Sequence, residues 1–289
     1  MPDPTPPSPQ ANGTSHAKRD APAVGGAPKE DDWRPDLATL RARLDDIDDK
    51  IHNLLMDRAR VVEQVARSGK AAAFRPGREA EILRRLLGRH EGGLPPRTLV
   101  RMWREMLAGT TAMQTPVRIA LYDPTPDRVL TAIAREHFGA LTPVDARPSA
   151  DAALSEVSAG TATMAVLPFP GDGGAWWPAL TAARPRLHIV ARLPFWADRP
   201  PGVPDGDALV VASTPPDVSA RDRSFIAFAQ SPDRARLADA GLTALGIHGL
   251  VAEVDGLVRD GDPRLATIDG GKPAVALGGY AVPVAKEPA

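Results

Sequence analysis

Six polar side chains stand on or beside apolar rows in the first third of the chain: Arg41, Arg58, Arg78, Glu79, Thr110 and Gln114, with Arg67 and Lys70 nearby. Cations dominate this set. A guanidinium presents a planar fork of donors that matches a carboxylate, so a pocket lined this way suits a small, apolar-bodied ligand with two carboxylates. Arg58 stands out, because Leu37, Leu40, Leu44, Ile47, Ile51, Leu54, Val61 and Val65 recur in alternating steps of three and four and Arg58 fills the missing place between Leu54 and Val61. Taking an unpaired charge out of water costs several kcal/mol. Arg58 therefore snorkels to solvent, pairs with Asp57 or Glu63 of a partner helix, or faces an anion enclosed by the helices.

The elements that position these residues follow from the breakers. Asp36, after Pro35, is an N-cap directly before the first seam leucine. From Leu37 to Ser68 there is neither Gly nor Pro, so about 32 residues at 1.5 Å each form a rod of roughly 48 Å. Such a seam needs cover along its whole length, and a second copy of the same chain supplies it. A second helix is predicted from about Arg78 to Arg89, with Ile82, Leu83, Leu86 and Leu87 inward. A third runs from about Arg97 to Gln114, with Leu99, Trp103, Leu107, Thr110 and Gln114 in one row and Met102, Met106 and Met113 as core. Residues 1–32 are rich in Pro, Ala, Gly, Ser and charge without periodicity and read as a disordered tail, Trp33 being the first residue to touch the folded part.

Beyond Pro116 short β-type runs alternate with helical ones. Strands are predicted at 117–122, 162–168, 187–193, 208–212, 224–229, 249–257 and 274–280, with helices at 128–138, 233–244 and 263–268. His188 and His248 are isolated and read as packing or surface residues.

Bulk properties exclude several classes. Lys+Arg 35 against Asp+Glu 36 leaves a net charge of -1, so no nucleic-acid or anionic-membrane partner is expected. Without cysteine there is no thiolate nucleophile, disulfide or Cys-ligated metal. No apolar run is long enough to span a bilayer and the opening residues lack a signal-peptide core, which places the chain in the cytoplasm as an expectation.

Leu37 to Gln114 resembles the all-helical class of chorismate mutases, as found fused to prephenate dehydratase. The resemblance is carried by Leu40-Arg41, Ile47-Asp48 with Lys50, Leu54-Leu55 followed by Arg58, Arg78-Glu79 opening the second helix, and Thr110 with Gln114. It implies that Arg58 and Arg41 bind the two carboxylates of chorismate, with Arg41 supplied by the partner in an intertwined homodimer. It further implies that Arg78 and Thr110 help hold the substrate, that Glu79 accepts from its hydroxyl and that Gln114 donates to its ether oxygen. The family's second ether-oxygen donor, a lysine near the end of the first helix, falls on Gly69 in ungapped register; Lys70 takes the role if the helix end shifts by one residue, with Arg67 as the fallback. Arg75 stands where the family commonly has an acidic residue. The implied reaction is the Claisen rearrangement of chorismate to prephenate, which requires no cofactor.

Farther on, Ile119 to Tyr122, Ala165-Val166-Leu167-Pro168 and Ile189-Val190 resemble pieces of a prephenate dehydratase domain, but the Thr-Arg-Phe motif that carries that family's catalytic threonine has no match. Glu253-Val254-Asp255-Gly256 and Leu277-Gly278-Gly279-Tyr280 resemble pieces of an ACT-type domain whose effector motif is missing. The expected fold is α+β and multidomain: a helical mutase domain at 33–115, a truncated α/β domain at 117–215 and a small ACT-like unit at 222–285. Two other functions compete: a non-catalytic dimerising module that senses an aromatic metabolite, and a bifunctional mutase-dehydratase.

Overall fold

Asp36 caps the first helix as its position requires. Its two carboxylate oxygens accept from the Thr39 backbone N–H at 2.9 Å and from the Thr39 hydroxyl at 3.1 Å. The computed structural model describes residues 36–69, 74–171, 174–266, 268 and 272–284, so the expected tail at 1–32, Trp33 and Lys70 lie outside it. Helix α1 spans Leu37–Arg67 and ends on Gly69 at φ +64°, a left-handed conformation that favours glycine. Contacts divide the chain into two units, residues 1–55 and 56–289, and α1 runs across the boundary. Every apolar residue of the Leu37–Val65 seam is at least 42% exposed in the single chain.

Helices α2 (Pro76–Leu87) and α3 (Pro96–Ala112) each begin with a proline, which lacks the N–H that a first turn leaves unbonded. Leu83 and Leu107 are buried as expected, but the rest of each buried row differs from the expected one. On α2 the buried residues are Pro76, Gly77, Ala80 and Leu83, and on α3 they are Val100, Arg104, Leu107 and Thr111. The reason is a second packing surface: Ala80, Leu83 and Val100 form a core with Phe195, Trp196 and Ala281 from the β-rich part of the chain. Arg84 fastens this contact, donating to the carbonyls of Ser219 at 2.9 Å, Arg221 at 3.2 Å and Val282 at 2.6 Å.

The rest alternates strands and helices: β1 (Ile119–Leu121), α4 (Val129–Phe138), β2 (Val144–Ala146), α5 (Ala150–Ala159), β3 (Met164–Pro168), α6 (Pro178–Ala182), β4 (His188–Leu193), β5 (Ala208–Ala212), β6 (Asp222–Ala227), α7 (Arg234–Asp239), β7 (Ala244–His248), β8 (Val251–Asp255) and β9 (Val275–Ala281). The nine strands of the described residues belong to one sheet in the order β2-β1-β3-β5-β4-β9-β6-β8-β7. The strands of the two regions expected at 117–215 and 222–285 thus share this sheet. The last strand, β9, pairs antiparallel with β6 and also reaches β4 in parallel, where Ile189 is matched with Gly278. The expected helix at 263–268 is a 3-10 turn, Pro263–Ala266.

Strands β3 and β5 are buried at every residue, as strands covered on both faces must be. Across the middle of the sheet a polar network joins the two halves. Arg223 donates to Glu253 at 3.1 Å, the Tyr280 hydroxyl donates to the same carboxylate, and Arg192 donates to the Tyr280 oxygen at 3.2 Å. Burial and the neighbouring Glu253 charge push the Tyr280 phenol up to about 12, so it stays a donor. His248 packs edge-on against Phe169 with ring centroids 5.0 Å apart.

Candidate active site

Three of the expected site residues converge within the unit formed by residues 56–289. Arg58, which sequence patterning left between solvent, a salt bridge and an enclosed anion, turns toward α3 and donates from Nη1 to the Thr110 hydroxyl at 3.2 Å. Asp57 pairs instead with Arg60, and Glu63 with Arg67 at 3.6 Å. Thr110 also donates to the Met106 carbonyl at 3.0 Å, one turn back along α3, which fixes its rotamer. Glu79, in the first turn of α2, completes the set. Its side chain is 12% exposed, and the Arg58 charge acts on it.

The two charges differ from their ordinary states for one main reason, burial. Partial burial lowers the Arg58 pKa while Glu79 pulls it back up; a guanidinium remains charged regardless. For Glu79 burial raises the pKa, Arg104 and Arg58 oppose this, and Asp217 adds to it.

The remaining candidates sit differently. Gln114, just past α3, donates to the Thr110 carbonyl at 3.3 Å and is half-buried beside the same turn. Arg78 is exposed and pairs with Glu81 at 2.9 Å. Arg41, in the unit formed by residues 1–55, is exposed on α1. Arg67 is exposed at the end of α1, and Lys70 lies outside the described residues.

The geometry groups on helices a forked donor, a hydroxyl, a side-chain amide and one buried carboxylate. It can hold an anion and orient a hydroxyl. Residues 40–115 match the family model of chorismate mutase type II. Arg58, Glu79, Thr110 and Gln114 all fall inside this mutase-type segment. The chain is also similar to a bifunctional chorismate mutase/prephenate dehydratase from Stutzerimonas stutzeri, at 31% identity over 140 residues, 46% of this chain and 38% of the relative. It thus spans well under half the length of the curated relatives it matches. Two solved structures are similar at 15% identity: a quorum-quenching acylase, GqqA, with TM-score 0.41 over 57% of this chain and 95% of that one, and a prephenate dehydratase from Arthrobacter aurescens in complex with L-Phe, with TM-score 0.39 over 56% and 90%.

Behind Glu79 lies a layer that sequence reasoning missed. Arg104 Nη1 donates to Glu79 Oε2 at 2.8 Å, and this arginine is 4% exposed. The same nitrogen lies 3.4 Å from His137 Nε2 on α4, and the guanidinium rests over the Phe195 ring at 4.6 Å. The signal was present: Arg104 lies four residues after Val100 and three before Leu107, an inward helical position. His137 has no comparable signature, since its partner comes from another helix.

Burial, aided by the Arg104 charge, holds the His137 pKa well below its ordinary value of 6.5. A depressed folded value means that the unfolded chain takes up the proton first. The stability His137 contributes is therefore complete above about pH 6.5 and drains as pH falls through the window below, by at most about 1.4 kcal/mol per pH unit. His137→Gln is expected to lessen the loss of urea stability between pH 7.5 and 5.5. An equal loss in both proteins would assign that proton to another group.

Proposed function

We propose that this chain is a chorismate mutase that works as a homodimer. The observation that carries this reading is the approach of Arg58 to Thr110 beside the buried Glu79, inside the segment that matches the mutase family. In this reading Arg58 clamps one carboxylate of chorismate and Arg41 of the partner copy clamps the other, with Arg78 at the edge of the pocket and Thr110 beside the first carboxylate. Glu79 accepts from the substrate hydroxyl, and Gln114 donates to the ether oxygen. Lys70, or Arg67 in its place, supplies the second donor.

The chemistry asks for little else. The rearrangement is unimolecular, so the protein selects the folded conformer of the substrate and meets the negative charge growing on the ether oxygen with fixed donors. One such donor is worth about 3 to 4 kcal/mol. Two donors with conformer selection reach the roughly 8 kcal/mol that a 10⁶-fold acceleration requires.

The dimer is supported by the bare seam of α1. Leu37 is 61% exposed, Leu54 67% and Val61 56%, a row that a second copy would bury. Incubation with chorismate, followed by its loss of ultraviolet absorbance, tests the activity; a rate equal to the uncatalysed one would refute it. Sedimentation equilibrium is expected to give twice the chain mass, and a monomer at micromolar concentration would remove Arg41 from the site. Phenylpyruvate formed from added prephenate would make the chain bifunctional, like the relative from Stutzerimonas stutzeri by its name. Among the described residues no helix is long and apolar enough to cross a membrane, in keeping with a small-molecule enzyme of the cytoplasm.

A further inference from the structure

We infer that Arg104 is a positioning residue for the mutase reaction: from behind the site it holds Glu79 aimed and ionised, so that the β-rich part of the chain becomes a working support of the helical site. The inference rests on the functional reading above and deepens it.

Glu79 belongs to a turn that is fixed from two sides. Asp217, in the loop after β5, accepts from the backbone N–H groups of Gly77 at 2.9 Å and Arg78 at 3.2 Å, capping α2 with a carboxylate far away in sequence. The fit is close, since a Cβ on Gly77 would lie 2.7 Å from the Asp217 carbonyl oxygen. That contact sets the rotation of α2 about its axis. Arg104 sets the side chain, reaching Glu79 Oε2 at 2.8 Å.

Arg104 is itself seated by the β-rich part, with Phe195 under its face and His137 at its edge. Those neighbours add no anion. His137 stays neutral as its pKa falls with burial, so Glu79 is the carboxylate that balances the buried guanidinium. The charges that bear on Glu79 come from each element around it: Arg104 on α3, Arg58 on α1 and Asp217 in the loop after β5, with neutral His137 on α4 behind Arg104. Arg104 and Arg58 favour the carboxylate; Asp217 and burial oppose it. Removing Arg104 tips this balance toward the protonated acid, which accepts a hydroxyl hydrogen bond poorly and is no longer held in place.

The test is the pH profile of chorismate turnover in the full-length chain. Arg104→Met is expected to lower kcat/KM at pH 7 by about 10- to 100-fold, the range lost with a hydrogen bond to a charged group. Much of that loss is expected to return as pH rises and Glu79 ionises. Arg104→Lys keeps the charge and is expected to stay close to the wild-type profile. In a Glu79→Gln background, Arg104→Met is expected to add no pH dependence. If Arg104→Met fails to fold, Arg104→Gln against Arg104→Lys makes the same comparison. A wild type without mutase activity would refute the functional reading. An active wild type whose Arg104 variants lose activity equally at every pH, or not at all, would overturn the positioning role alone.

Discussion

Arg58→Ala is expected to lower kcat/KM toward chorismate by between about 30-fold and several thousandfold while leaving the chain folded. The range is the 2 to 5 kcal/mol typical of truncating one member of a hydrogen-bonded charge pair. The fold survives for reasons visible around the residue. Arg58 is half-exposed, the hydrogen bond it gives up is one to Thr110 at 3.2 Å, and alanine is the best helix former for the middle of α1. Its partial burial lowers its pKa, and the Glu79 charge opposes this. Arg58→Lys separates charge from shape, since the ammonium keeps the charge and loses the two-pronged grip. Thermal unfolding and the absorbance assay together check the expectation. Turnover within twofold of wild type at an unchanged midpoint would mean that Arg58 does not grip the substrate.

The helices around the candidate site were legible because their signals are local. Asp36 before Leu37, the absence of breakers through Ser68, and Gly69 after it specify α1 almost to the residue. Arg58 announced itself by interrupting a heptad. What the pattern could not show was which neighbours α2 and α3 would meet. Expecting helices to cover one another selects Leu99, Trp103 and Thr110 as the inward row of α3. Helix α4 and the segment after β4 instead cover Val100 and Arg104, a quarter-turn away, where Arg104 meets Glu79.

The β-rich part was legible strand by strand and not as a sheet. Ala208–Ala212 was read to the residue, because a continuous apolar run between Pro- and Asp-rich loops allows little else. Strand β2 has three residues and no buried one, and so leaves no alternation to detect. Helix α5 carries its own punctuation, a Ser149 hydroxyl accepting from Ala152 N–H at 3.1 Å and Gly160 at φ +72°. Strand β7 was not expected; only its first residue, Ala244, falls in the helix expected at 233–244, which ends at Asp239, two residues before Gly241 at φ +72°. The deeper gap was topological, because β9 pairs with a strand almost ninety positions earlier and such a register has no local trace.

That register makes Gly278→Ala the substitution with the largest expected effect on stability. Gly278 has φ +117°, a conformation that L side chains rarely adopt, and a Cβ there would lie 2.3 Å from the Ile189 carbonyl oxygen and 2.6 Å from its nitrogen. Ile189 is the residue paired with Gly278 where β4 meets β9, so the intruding methyl group strikes the backbone that joins the two halves of the sheet. Overpacking costs about 1 to 3 kcal/mol and a forced backbone conformation another 1 to 3. A loss of about 2 to 6 kcal/mol is thus expected in urea unfolding, a large fraction of the total for a typical domain. Gly249→Ala is the control: Gly249 is also left-handed, at φ +62°, but nothing lies within 4 Å of its Cβ position. It carries the conformational cost alone, about 1 to 2 kcal/mol. Equal losses from the two substitutions would mean that β9 does not press against β4, and the helical site would then rest on a sheet without that junction.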